Sequence, residues 1–148
     1  MKTILAKRKR NAEDDEDDEK NDDINKIEKN IIRMNNTIYF YSDVTRESVL
    51  VLITKIREAT QYIKKQTIDN GLEGSIFLHI CSDGGSVFDG LAAMDTIRSN
   101  SVPITTILEG AVCSAATFIA LGGETIQIRP SSYVLIHQIR SCFWGKYE

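Results

Sequence analysis

The stretch ILEGAVCSAATF, residues 107–118, decides how this 148-residue chain is read. It opens with apolar residues suited to a strand, passes a glycine, and closes in small residues suited to the start of a helix. One serine, Ser114, stands among them, with Cys113 directly before it. A strand handing over to a helix through a glycine is a joint of an α/β layer architecture. A serine at such a joint commonly caps the helix. It also sits at the positive end of the helix dipole, where backbone N–H groups can support a developing oxyanion. On these residues alone both readings stand, and the cap is the commoner one.

Working outward, the flanking segments alternate. Upstream, "SIFLHI" (75–80) is a short apolar run bounded by turn residues, as in a buried strand. "CSDGG" breaks it, and a helix is expected from about Val87 to Ser99, with Ser86 as N-cap, Asp89 at N3, and Val87, Leu91, Met94 and Ile97 on its apolar side. "VPITTIL" (102–108) reads as a strand, "CSAATFIAL" (113–121) as a helix stopped by Gly122 and Gly123, and "TIQI" (125–128) and "YVLIH" (133–137) as strands. Earlier, "TIYFY" (37–41) is β-branched and aromatic. A long helix follows over about Thr45 to Gln66, with Thr45 as N-cap and Val44 and Val49 placed as a hydrophobic staple. Its stripe is Val49, Leu52, Ile53, Ile56, Ala59 and Ile63. Residues 24–36 have some helical spacing but suit an extended arm equally. The alternation implies largely parallel strand pairing.

The charge is unevenly placed. Residues 1–23 carry six basic and nine acidic side chains, a basic block followed by an acidic one. Such a segment buries too little apolar surface to offset its ordering entropy, so a disordered charged tail is expected there. Its "KRKR" reads as part of that solvated tail, with a nuclear address or anion-binding arm as the alternative. The rest of the chain is formally neutral, without the basic face that nucleic-acid binding leaves. Three cysteines, Cys81, Cys113 and Cys142, lack metal-type spacing and read as reduced thiols of a cytoplasmic protein. "MKTILAKRKR" has almost no apolar core for a signal peptide, and no run approaches the roughly 18 apolar residues of a spanning helix. No membrane partner is expected.

Two further features bear on chemistry. Gly84 and Gly85 follow a strand and permit backbone conformations and close approaches closed to other residues. Of the two histidines, His79 lies within a strand and His137 at a strand's C-terminal end, where catalytic groups of parallel sheets gather. If the chain does serine chemistry, His137 is the better base.

Together, "SDGGSVFDGLAAMDTIRS", "EGAVCSAATFIALGG" and "SSYVLIHQ" resemble, in order and spacing, the ClpP family, the proteolytic subunits of ATP-dependent Clp proteases. The resemblance covers about residues 36–148. It implies the ββα spiral shared by ClpP and crotonases, with 1–23 a charged tail, 24–36 an arm and 37–148 the peptidase domain. Carried over, Ser114 is the nucleophile, His137 the general base, Gly84 and Ala115 the oxyanion-hole N–H donors, and Gly85 a supporting turn residue. Neighbouring side chains at a helix start diverge by about 100°, so Cys113 and Ser114 cannot both face His137.

The chain departs from the family pattern in three places. Asp83 replaces a proline, Ala116 replaces a glycine, and no acidic residue matches the triad acid, since the sequence runs only 11 residues beyond His137. The C-terminal part of the family fold is expected to be missing. The resemblance implies a serine endopeptidase acting on unfolded polypeptide, with no metal or cofactor of its own. It implies a seven-membered ring of this or related subunits, fed by an AAA+ Clp ATPase that consumes the ATP. A catalytically impaired accessory subunit of such a ring is the main alternative, and a crotonase-like acyl-CoA enzyme the lesser one.

Overall fold

Strand pairing begins at the segment the sequence left open. The computed structural model describes residues 26–71 and 73–138. After a helical lead-in at 26–30, β1 (Ile31–Met34) turns back onto β2 (Thr37–Phe40) as an antiparallel hairpin. Asn35, at φ 55, takes the left-handed conformation that a two-residue hairpin loop requires and that asparagine tolerates. Both tendencies of residues 24–36 are therefore present, one after the other, in the described part of that arm. The charged tail over 1–23, and Cys142 with it, lie outside the described residues.

The remaining elements alternate: α1 (Arg46–Asn70), β3 (Ile76–Ser82), α2 (Val87–Arg98), β4 (Ile104–Cys113), α3 (Ala116–Leu121), β5 (Thr125–Ile128) and β6 (Tyr133–Leu135). The sheet runs β1-β2-β3-β4-β5, with β6 paired to β4 beyond the end of β5. Every pairing after the hairpin is parallel. Helical crossovers between strands produce that arrangement.

α1 begins where the cap was expected. Thr45 Oγ1 accepts the Ser48 N–H at 3.2 Å, and Ser48 Oγ accepts the Thr45 N–H at 2.9 Å, a reciprocal capping box. Val44 and Val49 are both buried. The helix runs past Gln66 to Asn70 and ends at Gly71, whose φ of 66 closes the last turn through an N–H to the Thr67 carbonyl. Its stripe of Val49, Leu52, Ile56, Ala59 and Ile63 meets Ile38, Phe40, Leu78 and Ile80 in one core, with Ile53 half-buried at its margin.

α2 departs from expectation in what it buries. Gly90, Ala93 and Ile97 face inward, whereas Val87, Leu91 and Met94 are half-buried. Small residues win because the helix lies close against another backbone: a Cβ on Gly90 would stand 2.7 Å from the Ala115 carbonyl oxygen. Gly122 and Gly123 also serve differently from a left-handed cap. Gly122 has φ -70, and side chains at the two positions would collide with Ile97 and Thr106. They are glycines for clearance between layers.

Candidate active site

β4 builds the site by changing partners midway. Its first half lies between β3 and β5, with Leu108 opposite both Ile80 and Ile128. The register with β3 then jumps, so that Ser82 faces Val112. β4 thus spends four residues where β3 spends two, and the excess forms a bulge over 109–111. Gly110 carries φ 59, and a side chain on it would meet the Cys81 sulfur at 3.1 Å. Bulges bend a strand and sharpen its twist. Past this one, Ala111, Val112 and Cys113 pair with Tyr133, Val134 and Leu135 of β6.

Ser114 follows immediately, at φ 52. A left-handed conformation in a residue with a Cβ is strained, and such strain persists only where surrounding bonds fix it. Here the Ser114 N–H donates to the Leu135 carbonyl at 2.8 Å. Its own carbonyl accepts the Thr117 N–H at 3.0 Å and the Thr117 hydroxyl at 2.6 Å. Ser114 is therefore a turn residue and not the first residue or cap of a helix. β4 continues through Cys113, and α3, only six residues long, is preceded by Ala115 with no side-chain cap. The helical geometry expected over 113–115 gives way because pairing with β6 holds Cys113 extended. The expected divergence of Cys113 and Ser114 rested on helix geometry that the structure does not have at these residues. Cys113 is buried in a strand, and the Tyr133 phenol is held above its ordinary pKa of 10.0, first by the charge the Cys113 sulfur carries when ionised and then by a side-chain hydrogen bond with it.

The glycine pair comes from the end of β3. Gly84 has φ 100 and Gly85 φ 146. A Cβ on Gly84 would lie 2.6 Å from the Cys113 carbonyl oxygen, 2.8 Å from the Ser114 Cβ and 3.1 Å from the Ala115 nitrogen. The structure thus brings Gly84, Ser114 and Ala115 together, backbone against backbone. Gly85 does the same against Val44 on the other side, where the Val44 N–H reaches the Gly84 carbonyl and the Ser86 N–H reaches the Val44 carbonyl, each at 2.8 Å. Asp83 is exposed. The Gly84 N–H donates to Ser82 Oγ at 3.2 Å. An oxyanion at Gly84 would have to displace that hydroxyl, which at 3.2 Å makes a long hydrogen bond.

His137 lies two residues beyond β6 and is exposed. Its Nδ1 is 2.8 Å from the Gln138 carbonyl oxygen. A carbonyl only accepts, so Nδ1 carries a proton, and in the neutral imidazole the lone pair is on Nε2. Among the described residues no hydrogen bond joins the Ser114 hydroxyl to His137, so the structure places the pair on adjoining strand ends without linking them. His79, the other histidine, is buried on β3 with Nδ1 2.8 Å from Glu109 Oε1. Among the described residues no group of His, Cys, Asp and Glu side chains could hold a metal ion, and no helix is long and apolar enough to cross a membrane.

Sequence reasoning missed four contributors: Ser82, Gly90, Leu135 and Glu109. Three act through backbone proximity or a hydroxyl and leave no pattern along the chain. Glu109 did leave one, as a lone carboxylate at the end of an apolar strand.

Comparison with known proteins gives the family and the fold. The family model for Clp protease matches residues 32–148. The ATP-dependent Clp protease proteolytic subunits of Oryza sativa subsp. indica and Triticum aestivum are each 37% identical over 111 residues, covering 70% of this chain and 51% of theirs. The chain spans about half the length of the curated relatives it matches. Among solved structures, ClpP1 from Listeria monocytogenes shares the fold at a TM-score of 0.60, with 21% identity over 71% of this chain and 58% of that one. The ClpP protease catalytic domain from Plasmodium falciparum gives 0.53, with 26% identity over 66% and 52%. By the family model that matches residues 32–148, this chain belongs to the Clp protease family.

Proposed function

We propose that the chain is a serine endopeptidase of the Clp type, with Ser114 as nucleophile and His137 as general base. The observation that carries this is the contact of Gly84 with the Ser114 turn, closer than any side chain would allow. In the reaction Ser114 Oγ attacks a peptide carbonyl while His137 Nε2 takes its proton. The Gly84 and Ala115 N–H groups receive the oxyanion once Ser82 Oγ releases the first of them. Donors fixed before reaction stabilise that charge at little reorganisation cost. His137 must swing its Nε2 onto Ser114, a rotation that an exposed side chain makes without disturbing the core.

The substrate is unfolded polypeptide in the cytoplasm, delivered by an AAA+ Clp ATPase to a seven-membered ring of this or related subunits. ATP is consumed by that partner, and the hydrolytic step uses no cofactor. The unlinked serine and histidine favour one second reading, an accessory subunit that fills a ring position without cleaving.

A fluorophosphonate probe separates the two. The endopeptidase reading expects a covalent adduct on Ser114 in the folded, assembled protein, abolished in Ser114→Ala, with peptide cleavage lost in the same variant. An assembled ring that binds the ATPase but takes no probe belongs to the accessory reading and sinks the first.

A further inference from the structure

The bulge of β4 is clamped by one carboxylate. Glu109 Oε1 lies 2.8 Å from His79 Nδ1 and 3.1 Å from Arg129 Nε, and Oε2 accepts the Tyr41 hydroxyl. An ionised carboxylate only accepts, so the proton of the His79 pair resides on Nδ1. The three donors come from three other places in the sheet: Tyr41 just after β2, His79 within β3 and Arg129 just after β5. The Tyr39 ring stacks on His79 at 4.7 Å and meets Tyr41 edge-on at 6.1 Å, which limits how far either donor can move.

The backbone is pinned at the same point. The Leu108 carbonyl, at the register jump, accepts the Arg129 N–H and the Ser132 hydroxyl, each at 3.0 Å. The nucleophile turn lies just downstream. Four residues beyond Glu109 the strand ends at Cys113, against which Gly84 rests. Because side chains alternate along a strand, a one-residue slip at the bulge would exchange the faces of every residue up to Cys113. It would also carry Ser114 away from Gly84 and from the Leu135 carbonyl.

The geometry points to Glu109 as a positioning residue for the nucleophile turn: by gathering Tyr41, His79 and Arg129 it holds the β4 bulge in the register that sets Ser114 against Gly84. The inference deepens the peptidase reading for its catalytic consequence but makes a structural claim that stands apart from it. Glu109 touches no reacting atom.

The test is amide hydrogen exchange followed by mass spectrometry on the full chain, comparing the parent with Glu109→Gln, which keeps the shape and removes the charge. Glu58→Gln, which breaks the distant Arg33–Glu58 pair, is the control. Protection at 110–114 and 83–85 is expected to fall about tenfold or more in Glu109→Gln, with α1 unchanged and the control indistinguishable from the parent. Parental protection at the turn overturns the proposal. So does a uniform loss across the sheet, which would mean general stability and not positioning. If Glu109→Gln does not fold, Tyr41→Phe removes one donor at the exposed edge and is expected to give the same local pattern at about threefold; an unchanged turn there is equally fatal. Fluorophosphonate labelling is read in parallel and should slow with the loss of protection. A parent that never labels counts against the peptidase reading, while the exchange data still decide the role of Glu109.

Discussion

Gly84 and Ser114 each hold a conformation the other explains. Gly84 sits at φ 100, and a Cβ on it would stand 2.6 Å from the Cys113 carbonyl oxygen, so it has neither the torsional freedom nor the space for a side chain. Gly84→Ala is expected to lower stability by roughly 1–3 kcal/mol and to abolish probe labelling of Ser114. A urea melt and an adduct mass read the two effects; an alanine variant that labels at the parental rate would refute the contact. Ser114 itself was legible only through its neighbours. Its local surroundings read as a helix cap, and nothing within five residues of it announces a left-handed turn. Cys113 is buried at the end of β4, paired with Leu135 of β6, and not at the opening turn of a helix.

The elements were the most legible part of the chain. The stripe on α1, the Thr45 cap and the apolar β3 run all lie where periodicity put them, because burial on one face leaves a repeat that can be counted. Leu52 is fully buried within that stripe, whereas Leu50 on the opposite face is 63% exposed. Leu52→Ala is therefore expected to cost about 2–5 kcal/mol, and Leu50→Ala to stay within about 0.5 kcal/mol, measured as chemical-denaturation free energies. Equal costs would mean that the helix is not seated as described. What periodicity misjudged was α2, where clearance outranks hydrophobic bulk: Gly90 packs against Ala115, so the helix buries its small residues and leaves Leu91 and Met94 half out.

Across the molecule, the Glu109 network ties four strands and responds to pH. Burial opposes the charge on Glu109, but hydrogen bonds from Tyr41, His79 and Arg129 outweigh it and hold the carboxyl below its ordinary value of 4.5. The same contact, after burial itself, pushes Tyr41 up to about 12. The sign follows from linkage. A group with a lowered folded pKa contributes stability that is present above its unfolded pKa and lost as pH falls through the folded one. The stability gap between the parent and Glu109→Gln should thus be full at about pH 7 and narrower at about pH 3. Urea midpoints at the two values test this, and a gap that does not change with pH would show that the charge of Glu109 contributes nothing. The titratable and charged groups around the carboxylate are Tyr41, His79 and Arg129, with Tyr39 and Cys81 beside Tyr41.

The order of elements, the parallel sheet, the neutral body behind a charged tail and the family motifs all follow from residues read along the chain. They depend on local preference and on the period with which a face is buried. The Gly84–Ser114 contact, the bulge at 109–111 and the hub at Glu109 could not be read that way. Gly84 and Ser114 lie 30 positions apart in sequence. Which residues meet across that distance is set by the register between strands, a property of the assembled sheet to which no single strand's composition commits.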